Sequence, residues 1–145
     1  MSKVAVVTDS TSDIPKEIAE QLNITIVPLR VTFGDESFLD DGKEITIDEF
    51  YKRIRTSDKL PTTTQPTPND FIEVYSKLLE ENDSVISIHI SKKMSGTINS
   101  AELAKKQLPG KDIEVVDSQL VHFPLGFLII KAATLCRKVK LKKKF

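Results

Sequence analysis

The feature that most constrains this chain is its alternation: short β-branched runs give way to amphipathic helical stretches along nearly its whole length. Lys3 to Thr8, Ile24 to Leu29, Ser84 to Ile90 and Ile113 to Val116 read as buried strands. Pro15 suits the first turn of a helix that runs to about Leu22, where Asn23 can end it. Val31 to Phe33 and the turn Gly34-Asp35-Glu36-Ser37 predict a small hairpin. Thr46-Ile47-Asp48-Glu49 has the form of a capping box, followed by Ile47, Phe50, Tyr51 and Ile54 at helical spacing. Thr67-Pro68-Asn69-Asp70 opens another helix, with Phe71, Val74, Tyr75 and Leu78 on one face. A further helix is expected through Leu108, ended by Pro109-Gly110, and a last apolar one from about Leu120 to Leu135. Strands alternating with helices predict an α/β domain with a mainly parallel sheet flanked by helices.

The bulk numbers fit one domain. The chain has 145 residues, 39% hydrophobic and 29% charged, the balance of a globular protein with a single core. Its formal net charge is zero, with 21 residues of each sign. No acidic residue follows Asp117, and six basic ones crowd into Arg137 to Phe145. Up to Cys136 that leaves 15 basic against 21 acidic residues, a poor surface for nucleic acid. We therefore divide the chain into a domain over 1–136 and a basic tail over 137–145. A lone cysteine, Cys136, excludes an internal disulfide and any cysteine-built metal site. The N-terminus reads as a first strand and not as a signal peptide. The uncharged stretch Ser118 to Ile130 contains Pro124 and is too short for a bilayer. A cytoplasmic location is the expectation.

Three hydroxyl-rich loops follow strands and precede helices: Thr8 to Asp13, Ser91 to Thr97, and Asp117-Ser118. In an open α/β sheet such loops gather at the carboxyl edge of the strands, where ligands bind. The Thr-rich loop Pro61 to Thr67 also precedes a helix and can fold over that edge. Helix N-termini favour anions, Thr63 and Ser95 add neutral donors, and Gly96 lets backbone approach a ligand. Together these describe a pocket for a carboxylate or phosphate. Taken singly, each loop is explained by caps and turns alone.

Enzyme readings have less support. Walker, GxGxxG and GxSxG motifs are absent. A Ser95 nucleophile needs a base, and neither His89 nor His122 has an evident orienting partner; both read as sheet or core side chains. The pairs Asp9/Asp13 and Asp40/Asp41 lack further ligands at a recognised metal spacing and read as solvated turn carboxylates. No metal and no cofactor is expected.

Six blocks resemble the DegV family in order and spacing. They are Thr8 to Pro15, Val27-Pro28-Leu29, Phe33 to Ser37, Pro61 to Pro66, Ile90 to Thr97, and Val116-Asp117-Ser118. The resemblance runs from about Lys3 to Leu135. It implies a non-catalytic protein that binds one long-chain fatty acid, of palmitate or oleate type, between two α/β lobes. It also implies a fatty-acid kinase partner that receives the acid. By this likeness Thr63 and Ser95 hold the carboxylate. Ser91, Gly96 and Thr97 shape the same loop, Thr64 stands where a serine is more usual, and Ser10 and Ser118 line the edge. Burial of the tail at roughly 0.8 kcal/mol per CH₂ would dominate affinity.

The resemblance implies a second lobe that these 145 residues do not contain. The usual small, Gly-rich helix start after Ser118 is replaced by His122-Phe123-Pro124, although Gly126 remains. The basic ending is read as that of a truncated or frame-shifted product or a natural half-protein. Without a second lobe an apolar surface is left open, and large apolar patches find partners. The alternative expectation is therefore a remnant that has lost lipid binding and self-associates as a homo-oligomer. An enzyme acting on an anionic substrate is the least supported class.

Overall fold

A computed structural model describes residues 3–142, and side chains through 138. Four parallel strands form the main sheet in the order β2-β1-β6-β7: β1 (Val4–Asp9), β2 (Ile24–Val27), β6 (Ser84–His89) and β7 (Ile113–Asp117). A second, antiparallel sheet has the order β4-β3-β5, from β3 (Arg30–Phe33), β4 (Glu36–Leu39) and β5 (Thr62–Thr64). The helices are α1 (Lys16–Leu22), α2 (Ile47–Thr56), α3 (Pro68–Glu81), α4 (Thr97–Lys106) and α5 (His122–Lys142), with a 3-10 turn at Ser10–Ser12. The α/β expectation holds.

Strand alternation explains the layers, because successive side chains point to opposite faces. On one face Ala5, Val7, Val27, Val85 and Ile113 bury Phe71 and Tyr75 of α3 with Ala101 and Ala104 of α4. On the other, Val6, Ile24 and Ile88 pack on Ala19 of α1 and on Leu125, Ile129 and Ala133 of α5. Both faces are thus covered, as a parallel sheet requires. Helix α5 lies close against the turn after β1, since a Cβ on Gly126 would stand 2.5 Å from the Ser12 carbonyl oxygen. The small sheet has a thinner core, in which Val31, Phe33 and Ile45 are buried and Phe38, Phe50 and Ile54 pack around them.

Local chemistry sets the element ends. Asn23 closes α1 in the left-handed region at φ 53°, which Asn tolerates better than most residues. Thr67 and Asp70 form a complete capping box at α3, with Pro68 at its start. At α2 the expected box is only half made. Thr46 accepts the Glu49 amide at 3.2 Å, but the Glu49 carboxylate turns to Arg53 at 2.8 Å, because an i,i+4 charge pair competes for it.

Two further expectations are corrected. The Thr-rich segment is not simply a loop, because Thr62–Thr64 pair with the free edge of β3, Thr63 opposite Val31. Helix α5 does not stop near Leu135 but continues to Lys142, so the basic run enters the helix as far as that residue. Residues 143–145 of the expected tail lie outside the described residues. Among the described residues no helix is long and apolar enough to cross a membrane.

Candidate functional site

The strand order places a topological switch between β1 and β6. The connection through α1 carries the chain from β1 to β2 on one side, and α4 carries it from β6 to β7 on the other. The loops beyond β1 and β6 therefore lead to opposite faces of the sheet, and such a switch point is where open α/β sheets bind ligands.

Asp9 ends β1 and His89 ends β6, side by side. Both are 0% exposed, as is Ser87. His89 Nδ1 lies 2.9 Å from Asp9 Oδ2, and its Nε2 lies 2.7 Å from Ser87 Oγ. The Tyr75 hydroxyl donates to Ser87 Oγ at 2.7 Å, and Phe71 presents to the imidazole in a T-shaped contact with ring centroids 5.1 Å apart. Asp9 Oδ2 also accepts the Ile90 amide at 3.1 Å, while Oδ1 accepts the Thr11 amide at 3.0 Å and the Thr11 hydroxyl.

Burial opposes the charge on Asp9, but the hydrogen bond from His89, with those from Thr11 and the Ile90 amide, outweighs it and holds the carboxyl below its ordinary value. Burial raises the Tyr75 phenol far above its ordinary value, so it remains protonated and donates. A consistent sense follows. Tyr75 donates to Ser87, Ser87 to Nε2, and Nδ1–H to the Asp9 carboxylate. Every member of the chain is satisfied when the imidazole is neutral.

This corrects three sequence expectations. His89 does have an orienting partner, and Asp9 is a buried carboxylate, not a solvated turn residue. His122 is no core residue, for it is exposed at the start of α5 and pairs with Asp13 at 2.8 Å. The Asp9–His89–Ser87 arrangement resembles a nucleophilic triad, yet Ser87 is enclosed and accepts from Tyr75, so no substrate carbonyl can reach it. The signal for the pair was faint. Two polar residues each close an apolar run, but the 80-residue offset that makes them neighbours is set by strand order.

The sequence-nominated hydroxyls divide by environment. Thr63 and Thr64 are exposed on β5. Ser95 is part-buried; its Oγ accepts the Thr97 amide at 3.2 Å and lies 2.9 Å from Thr97 Oγ1. Thr97 is fully buried and so acts from behind Ser95. When the Thr97 hydroxyl donates to Ser95, the Ser95 proton is free for a ligand. Gly96 abuts Gln65, since a Cβ there would stand 2.6 Å from the Gln65 amide nitrogen. Gln65 was not nominated; it follows the threonine strand directly, and its side chain lies against the Ser95–Thr97 turn.

The other three hydroxyls serve the backbone. Ser10 Oγ accepts the Leu29 amide at 3.1 Å, Ser91 Oγ the Lys93 amide at 3.3 Å, and Ser118 Oγ the Leu120 amide at 3.0 Å. Burial pushes the Asp40 carboxyl up, and the Asp13 and Asp41 charges push it the same way. Asp41 is an ordinary turn acceptor, taking the Lys43 and Glu44 amides at 2.8 Å each. Among the described residues no cluster of three or more His, Cys, Asp or Glu could hold a metal ion.

The fold defines a class: a doubly wound α/β domain with hydroxyl-rich turns at the carboxyl edge of its parallel sheet. The chain belongs to the DegV family, matching over residues 3–141 the family model described as "Uncharacterised protein, DegV family". It is 51% identical to a DegV domain-containing protein of Clostridium perfringens over 93% of this chain and 48% of the relative. Protein DegV of Bacillus subtilis is 40% identical over 92% of this chain and 47% of its own length. The chain spans about half the length of the curated relatives it matches. Among solved structures, a DegV family protein from Thermus thermophilus described by its fatty acid binding superposes with a TM-score of 0.86 at 41% identity, covering 95% of this chain and 48% of that one. DegV of Bacillus subtilis, described as a fatty acid binding protein, gives 0.87 at 38% identity over 95% and 49%. A stearic acid-binding protein from Eubacterium ventriosum gives 0.83 at 33% identity, over 95% and 48%.

Proposed function

We propose that this chain binds a long-chain fatty acid by its carboxylate as a non-catalytic carrier, with Thr63 and Ser95 as the head-group donors. One observation carries the reading: Gln65 seated on Gly96 joins the threonine strand to the Ser95 turn at the carboxyl edge of a parallel sheet. With the Thr97 hydroxyl donating to it, Ser95 has its own proton to offer the head group. Hydroxyl donors offset the desolvation of the head group, and the acyl chain supplies most of the affinity. Thr64 and Gly96 line the same approach, with Thr97 behind. Ser10, Ser91 and Ser118 support the backbone of the edge. Presentation of the acid to a fatty-acid kinase, in the cytoplasm, completes the reading. The names of solved relatives at 33–41% identity support the ligand class.

Mass spectrometry of the purified protein, native and after solvent extraction, tests it. Near-stoichiometric fatty acid, reduced in Thr63→Ala and in Ser95→Ala, is the expected result. A folded sample that carries no lipid and takes up neither palmitate nor oleate would sink it.

A second reading rests on α5. Its inner face is core, yet Phe123 and Phe127 on the opposite face are 68% and 71% exposed and Leu135 is 50% exposed. A helix apolar all round is ordinarily buried, which favours self-association through this face. Light scattering over a wide concentration range decides, and a monodisperse monomer rules it out.

A further inference from the structure

Four donors converge on one buried carboxylate at the switch point. Asp9 Oδ1 takes the Thr11 amide and hydroxyl, and Oδ2 takes His89 Nδ1 and the Ile90 amide. The first pair fixes the turn after β1. The second fixes the exit of β6, where Ile90 leads directly into the Ser91–Thr97 turn. That turn has two more ties nearby, the Ser91 amide to the Leu120 carbonyl at 3.0 Å and the Lys92 amide to Asp117 at 3.3 Å.

We propose that Asp9 is a positioning residue for head-group binding: its carboxylate clamps the exits of β1 and β6 and so sets the orientation of Ser95. The inference rests on the fatty-acid reading given above. Stability alone is a poor reason for the arrangement. A buried ion and its partners can usually be replaced by apolar residues of like volume without loss. What the carboxylate uniquely supplies is acceptor-only capacity at two oxygens. An amide at this position would turn an N–H₂ toward donors. The Tyr75–Ser87–His89 chain is part of the device, because it fixes the imidazole as the Nδ1–H tautomer and so makes His89 a donor to Asp9.

The experiment measures two things on the full chain, wild type and Asp9→Asn. Backbone ¹⁵N order parameters report the 91–97 turn. Competition binding compares palmitate with 1-hexadecanol, which has the same tail and no carboxylate. With the fold intact by circular dichroism, Asp9→Asn is expected to lower order across 91–97. It should weaken palmitate about tenfold, the equivalent of one well-placed hydrogen bond, and leave hexadecanol nearly unchanged. Unchanged order in a folded Asp9→Asn overturns the clamp. So does an equal loss of both ligands, which marks general damage. If Asp9→Asn does not fold, His89→Asn and His89→Leu take its place. The asparagine keeps a donor toward Asp9 and should retain more order and palmitate selectivity than the leucine; equal losses overturn the proposal. A wild type that binds neither ligand refutes the fatty-acid reading, and the order parameters still judge the clamp.

Discussion

The two sheets of this molecule are built in opposite ways. The parallel sheet is covered on both faces and buries a chain of four polar side chains with every partner in place. The antiparallel sheet has three buried core residues and sets the candidate threonines on an exposed strand. Burial on both faces of one sheet and a thin core under the other predict that stability is concentrated in the parallel sheet.

The sharpest test of that contrast is truncation of matching aromatics. Phe71, fully buried against Tyr75 and His89, should cost about 3–5 kcal/mol as Phe71→Ala. Phe33→Ala should cost clearly less, because the thin core around it can relax. Urea unfolding measures both, and equal losses would mean that the small sheet is as firmly built as the large one.

Much of this frame was legible in the sequence, and the reason is local. The alternation of strand and helix, Pro15, Asn23 and the Thr67–Asp70 cap each carry their signal within a few residues. The candidate hydroxyls were found the same way, as residues in loops between elements. What was missed depends on distant partners. Thr62–Thr64 became a strand only because β3 offers a free edge. Asp9 and His89 meet through strand order, and Gln65 matters only because Gly96 is beneath it. Glu49 followed a nearby charge in preference to the cap.

Two glycines offer the next comparison. A methyl at Gly126 meets the Ser12 carbonyl, which is backbone at the edge of the parallel sheet. Gly126→Ala must shift α5 or the turn and should cost about 1–3 kcal/mol, the usual range for overpacking. Thermal unfolding reports it. An unchanged midpoint would show that α5 is free to move away from the turn.

Acid separates the sheets in a different way. Asp9 has a folded-state value held below its ordinary 3.8, so its contribution is fully present above 3.8. It is lost as pH falls through the lower folded value. Denaturant titrations from neutral pH down into that window should therefore show stability falling in wild type. The fall should be shallower in Asp9→Asn, which has no such carboxylate to protonate. Parallel curves would mean that the buried pair contributes nothing to acid sensitivity.

The smallest expected effect on stability is Gly96→Ala, and it tests the joint between the two sheets. The clash is nearly as close as at Gly126, 2.6 Å against 2.5 Å, but its partner is the end of the flexible Gln65 side chain. Gly96 has φ −78°, which alanine adopts without strain. Gln65 can swing aside, so the stability change should stay below about 1 kcal/mol. If Gln65 on Gly96 is what sets the threonine strand against Ser95, lipid retained through purification should nevertheless fall. Mass spectrometry and thermal unfolding on one sample separate the two effects. Full lipid with an unchanged midpoint would release Gln65 from any part in the site and leave Ser95 to the parallel sheet alone.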